Sequence, residues 1–143
     1  DFEVSSDQPF AVTSFQLGSG IGDPGHLTDY RGDPAQSNVY AVDQFRRKYV
    51  FLAPDDYDFA FADVVLPDGA TIWLDGPVVS LPATPIGSGY SVMRIPLDMA
   101  VLEVHVLESD AYVGLQVMGY GFATSYQYPG GLNLTRISEP PII

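Results

Sequence analysis

The sequence predicts an all-β fold, an antiparallel β-sandwich of the jelly-roll kind with about eight or nine strands. Three observations carry that expectation. Apolar and polar residues alternate with period 2 along much of the chain, and no helical period persists over the length of a helix. Punctuation is dense, with 14 Gly and 12 Pro spread through the sequence. The composition, 46% hydrophobic and 13% aromatic over 143 residues, suffices for one domain to bury a core of its own.

Taken in order, the alternation places strands at residues 2–5, 10–17, 48–52, 59–66, 71–74, 90–96, 101–107, 111–120 and 122–128. Pro67-Asp68-Gly69 and Asp75-Gly76 read as tight turns. Ser109-Asp110 reads as a two-residue hairpin link between the seventh and eighth strands. In the seventh, Leu102, Val104 and Val106 share one face, and Glu103 and His105 the other. In the eighth, Val113, Leu115 and Val117 point one way, and Tyr112, Gln116 and Met118 the other. One face of each belongs to the core and the opposite face to water or a partner. A long loop is expected near residues 18–44, a length that compact domains reserve for function or leave poorly ordered. The domain is expected to span residues 1–137, with 138–143, carrying Pro140-Pro141, as a linker leaving it.

Charge narrows the partners. Acidic residues number 18 against 6 basic ones, for a net charge of −12, and Arg46, Arg47 and Lys48 are half of the bases. Nucleic acid and anionic bilayers are held by clustered Lys and Arg, so the balance argues against both. No apolar run reaches the ~20 residues that a membrane span needs, so no membrane insertion is expected. There is no cysteine, hence no disulfide framework. Asp1-Phe2-Glu3-Val4 opens directly in strand-like alternation and not as a signal peptide, so a processed or excised piece of a longer protein is expected.

Several motifs are weaker than they look. Gly20-Ile21-Gly22-Asp23-Pro24-Gly25 has dinucleotide-loop spacing, but Asp23 would repel phosphate and no helical pattern follows Pro24. Arg31-Gly32-Asp33 reads as a turn, because Gly-Asp-Pro occurs twice as turn vocabulary. A nucleophile would need a base, and only His26 and His105 offer one. His105, with Glu103 beside it on a polar strand face, reads as a surface or hydrogen-bonded side chain, and no catalytic residue is assigned.

Two groups remain as candidate site residues. Asp55, Asp56 and Asp58, with Asp63 nearby, are the candidate ligands for calcium, the single cofactor under consideration, since calcium takes several oxygens from loops of this kind. Tyr126 and Tyr128, aromatic on alternate positions, are the candidate ligand-contact residues, with Phe122 expected in the core.

Longer segments carry a resemblance. They include Gly32-Asp33-Pro34-Ala35, the run from Gln44-Phe45-Arg46-Arg47-Lys48 through Tyr49-Val50-Phe51-Leu52-Ala53-Pro54, and Leu66-Pro67-Asp68-Gly69-Ala70. Leu74-Asp75-Gly76, His105-Val106-Leu107, Gln116 to Gly121 and Ser125 to Leu132 continue them. Together these resemble the last part of the N-terminal domain of the IgGFc-binding proteins, as found in bacterial surface and secreted proteins. The likeness runs from about Phe2 to Leu134, with its most specific pieces at Gln44–Pro54 and Gly119–Gly131. It implies an extracellular, multidomain, non-catalytic context and transfers no binding residue. The chain departs from the animal members in lacking cysteines.

The expected function is therefore a non-catalytic protein-recognition or scaffold module of a bacterial secreted or cell-surface protein. Its partner would be a protein or a glycan at the cell surface. Two alternatives stand beside it: a carbohydrate-binding module assisted by calcium, and a structural subunit that self-associates through edge strands.

Overall fold

The computed structural model describes residues 1–18, 30–98 and 104–134. Nine strands appear among them: β1 (Val12–Phe15), β2 (Gln36–Val39), β3 (Arg46–Leu52), β4 (Phe59–Pro67), β5 (Ile72–Leu74), β6 (Ala83–Gly87), β7 (Tyr90–Leu97), β8 (Val104–Gly121) and β9 (Thr124–Pro129). All pairings are antiparallel. The arrangement is the expected all-β sandwich.

β8 organises it. This strand runs for 18 residues, and its two halves belong to different sheets. The first half lies between β3 and β5, with Leu52 opposite Val104 and Leu74 opposite Leu107. The second half lies between β4 and β9, with Phe59 opposite Tyr120 and Thr124 opposite Gly121. Beyond β4 the larger sheet continues through β7 to β6. One strand passing from sheet to sheet through an irregular segment makes a sandwich corner.

That corner falls at Ser109-Asp110, where the sequence suggested a hairpin. The β3 partner changes from Glu108 to Val113 while β3 advances only from Lys48 to Arg46. The extra residues of β8 bulge outward, held as Asp110 Oδ1 accepts from the Thr71 N–H at 2.9 Å and Ser109 Oγ from the Ala111 N–H at 3.2 Å. Because the strand is continuous, one parity of side chains faces inward along all of it. His105 and Leu107 are buried with Val113, Leu115 and Val117, and Val104 faces out. Of the two faces the sequence separates, the one with His105 is buried in the first half of β8 and the one with Val113, Leu115 and Val117 in the second.

The core lies between the sheets: Tyr49 and Phe51 of β3, Ile72 of β5 and Leu107 on one side, Ala62, Val64, Ile95 and Leu115 on the other. Burying each large aliphatic residue contributes roughly 1.5–3 kcal/mol. Two turns form as read. Ala70 N–H donates to the Pro67 carbonyl, and Asp75-Gly76 closes a two-residue hairpin with φ of 55° and 106°.

Other expectations fail locally. Residues 2–5 form no strand and stay exposed. The segment read as a long loop contains β2, which pairs with β1. β6 went unread because Pro85 interrupts its pattern, and as an edge strand it tolerates the missing donor.

Candidate functional site

Asp55, Asp56 and Asp58 are exposed in the turn joining β3 to β4. Asp63 belongs elsewhere, on the outer face of β4. Among the described residues no three His, Asp or Glu side chains converge as a metal site would require. Tyr126 and Tyr128 project inward from β9 and pack against the core. Tyr126 meets Tyr57 edge-on at 4.6 Å and stacks with Tyr128 at 6.0 Å. Burial raises the hydroxyl pKa of both. Phe122, expected in the core, is 73% exposed and touches Tyr30 edge-on.

His105, expected to be a surface or a hydrogen-bonded side chain, is the latter and is buried. It is 3% exposed, stacked on Phe51, with Nδ1 2.8 Å from Asp75 Oδ2. The arrangement is a packed hydrogen bond inside the sandwich. Arg31-Gly32-Asp33 is not assigned as a turn: Arg31 forms an isolated bridge and Gly32 sits at φ 89°. Gly32 N–H donates to the Gly121 carbonyl, Asp33 N–H to Ser125 Oγ, and Arg31 bridges to Phe122. A side chain at Gly32 would meet the Tyr120 ring at 3.0 Å, so the tripeptide lies flat against the sheet. The glycine loop at 20–25, His26 and the tail at 138–143 lie outside the described residues.

A cleft does form on the other face of the larger sheet. The β1–β2 hairpin docks there through Ser14, whose carbonyl and Oγ accept from Gln127 Nε2 at 2.9 and 2.8 Å. Between hairpin and sheet lies an open cleft of about 830 Å³. Its floor is a ladder of three cross-strand pairs from β4 and β8: Phe59 with Tyr120, Phe61 with Met118, Asp63 with Gln116. One end is therefore aromatic and the other polar. Such pairs hold one another in place.

The charged groups of the cleft are fixed differently. Arg94 of β7 holds Asp63 in a bidentate pair, Nε to Oδ1 at 2.8 Å and Nη2 to Oδ2 at 2.7 Å, which raises the arginine's pKa further. The Arg31 guanidinium lies 5.1 Å from the Phe59 ring centroid, in cation–π contact. Gln16 lines the cleft as well. It is 6% exposed, and its carboxamide N and O have no hydrogen-bond partner among the described residues. A buried amide without partners carries a desolvation cost.

Sequence reading missed this cleft, although one signal for it was present. Along Phe59-Ala60-Phe61-Ala62 large rings alternate with methyl groups, and the alanines are the buried members. An alternation with its bulk on the outer face marks a surface made for contact.

A match to the IgGFc binding protein family spans residues 1–119. It ends within β8, so β9 and the rest of the Gly119–Gly131 block lie beyond it. No curated protein and no solved structure matches the chain. With 119 of its 143 residues matched, the chain belongs to the IgGFc-binding protein family and is a non-catalytic domain of a bacterial surface or secreted protein.

Proposed function

We propose that the domain is a protein-recognition module and that its partner binds in the cleft between the β1–β2 hairpin and the larger sheet. The observation that carries this reading is the ladder Phe59–Tyr120, Phe61–Met118, Asp63–Gln116, with Arg31 stacked at its aromatic end. Aromatic residues, Met and Arg concentrated on one rigid surface are the composition of protein-binding hot spots.

A carbohydrate-binding role is the second reading. Gln116, Gln127 and the Asp63–Arg94 pair beside an aromatic floor would also suit hydroxyl groups of a sugar.

The test is direct binding to the immobilised domain. One arm offers a purified immunoglobulin Fc fragment, the ligand in the family's name, and the other a glycan array with and without calcium. Saturable Fc binding that Phe59→Ala and Arg31→Ala abolish, with thermal melts unchanged, supports the first reading. Glycan binding lost in the same variants selects the second. Binding in either arm that ignores both substitutions removes the cleft from consideration.

A further inference from the structure

The smaller sheet presents a different surface. On its outer face Val50 pairs with Val106 and Leu52 with Val104, and Trp73 of β5 lies opposite Glu108. Val50 is 63% exposed, Leu52 54% and Val104 49%. These side chains are neighbours across the strands, so they form one contiguous apolar face. Patches of this kind on a soluble domain mark interfaces.

Charge indicates what covers it. The whole chain carries −12, so most approaches of one copy to another are repulsive. This face is the exception. Arg46, Arg47 and Lys48, half of all the bases, are exposed at the start of β3, and Asp55, Asp56 and Asp58 are exposed just beyond its end. Lys48 is locally neutralised by Glu108 at 2.8 Å. The strand thus has a basic end, an apolar middle and an acidic end. A second copy laid over it with β3 running the opposite way matches every part: base to acid, apolar to apolar, acid to base.

We propose that this face packs against the same face of a second copy, about a two-fold axis near Val50 and Val106. Such an isologous contact satisfies both copies with one surface and closes at the dimer. Two sheet faces packed with their strands nearly aligned are an ordinary sandwich geometry. Face packing also leaves the β3 edge undisturbed, where Tyr128 already bonds the backbone of Leu52. The cleft lies on the larger sheet and stays open in the dimer.

Sedimentation equilibrium of the 143-residue chain tests it. The expected result is a reversible monomer–dimer equilibrium. Val50→Lys weakens it by about tenfold or more, equivalent to at least ~1.4 kcal/mol, and leaves the thermal melt of the monomer unchanged. Val104→Lys does the same from the neighbouring strand. Complementary charge reversals supply the stricter arm. The variant Arg46→Glu/Arg47→Glu and the variant Asp55→Lys/Asp56→Lys each stay monomeric alone and form a heterodimer when mixed. A chain that stays monomeric at every concentration overturns the proposal. So does a dimer indifferent to Val50→Lys, or a mixture that fails to associate while the unmodified chain dimerises.

Discussion

The Tyr128 hydroxyl holds the backbone of Leu52 by both of its polar groups, accepting from the N–H at 3.1 Å and donating to the carbonyl. Tyr128 belongs to β9 of the larger sheet, whereas Leu52 lies at the end of β3 in the smaller one. One side chain therefore ties the two sheets together and occupies part of an edge that would otherwise be open to another strand. Tyr128→Phe removes both bonds without changing the volume packed against the core. The expected loss is about 1–2 kcal/mol, read as a lower urea midpoint, together with faster aggregation on heating. A midpoint equal to that of the unmodified chain would show that water replaces the hydroxyl at no cost.

Tyr126, its neighbour on the same face, makes the opposite prediction. It lies opposite Gly119 in register, and a Cβ at that glycine would overlap its ring. The glycine is what lets the ring lie flat on the strand. Gly119→Ala is expected to cost about 1–3 kcal/mol through overpacking. The Tyr126 hydroxyl is buried without a hydrogen-bond partner among the described residues. Tyr126→Phe should then be neutral or slightly stabilising, since no bond is lost and a desolvated group is removed. Urea melts of the two variants check both signs.

The contrast between these tyrosines shows how far a sequence reaches. Strands whose residues alternate and whose partners are regular, β3, β4, β5 and β7, lie within about two residues of their expected bounds. β2 is Gln36-Ser37-Asn38-Val39, polar except for its last residue, so its pairing with β1 and not its own pattern makes it a strand. Residues 2–5 alternate as well as any strand here, yet they have no ladder, and Phe2 stays exposed. Alternation states that a segment can be a strand. A neighbouring backbone decides whether it is.

The cleft was hidden for a related reason. Ala60 lies opposite Gly119, the glycine under the Tyr126 ring, so the inner volume there comes from β9 and β4 must be small inside. Its large residues, Phe59 and Phe61, are left to the outer face. Local sequence contains the alternation of Phe and Ala, but the choice of face depends on a ring 65 or more positions away. The inward projection of Tyr126 and Tyr128 follows from the same packing.

Asp75 and His105 supply a third prediction. Asp75 sits at φ 55° in the hairpin after β5; its Oδ1 accepts from the Val106 N–H at 2.7 Å and its Oδ2 faces His105 Nδ1. One carboxylate thus locks a turn of the β5 hairpin onto the first half of β8. Asp75→Ala loses both bonds and places a Cβ-only residue in the left-handed region, for an expected cost of about 2–4 kcal/mol. Asp75→Asn tolerates that conformation and keeps an acceptor, so it should recover most of the loss. Equal destabilisation by the two would assign the effect to charge alone. Amide exchange at Val106 reports the local opening directly.

Alkaline titration provides the last prediction. Burial raises the hydroxyl pKa of Tyr40, Tyr49, Tyr126 and Tyr128 above the ordinary value of 10.0, desolvation being the largest cause in each. For Tyr40 the neighbouring Tyr49 adds to the shift. Below the unfolded value both states keep these phenolic protons, and their contribution to stability is constant. Above it the unfolded chain releases them first, so stability falls as pH rises toward the folded values. The domain should therefore show a flat melting temperature up to about pH 10 and a steep decline beyond. Ionisation of the four should appear in tyrosinate absorbance together with the loss of β circular dichroism. Ionisation completed while the sandwich remains folded would mean that these hydroxyls are more open to water than their packing shows. Tyr40→Phe separates the cases: it should delay alkaline unfolding if Tyr40 must ionise for the sandwich to open.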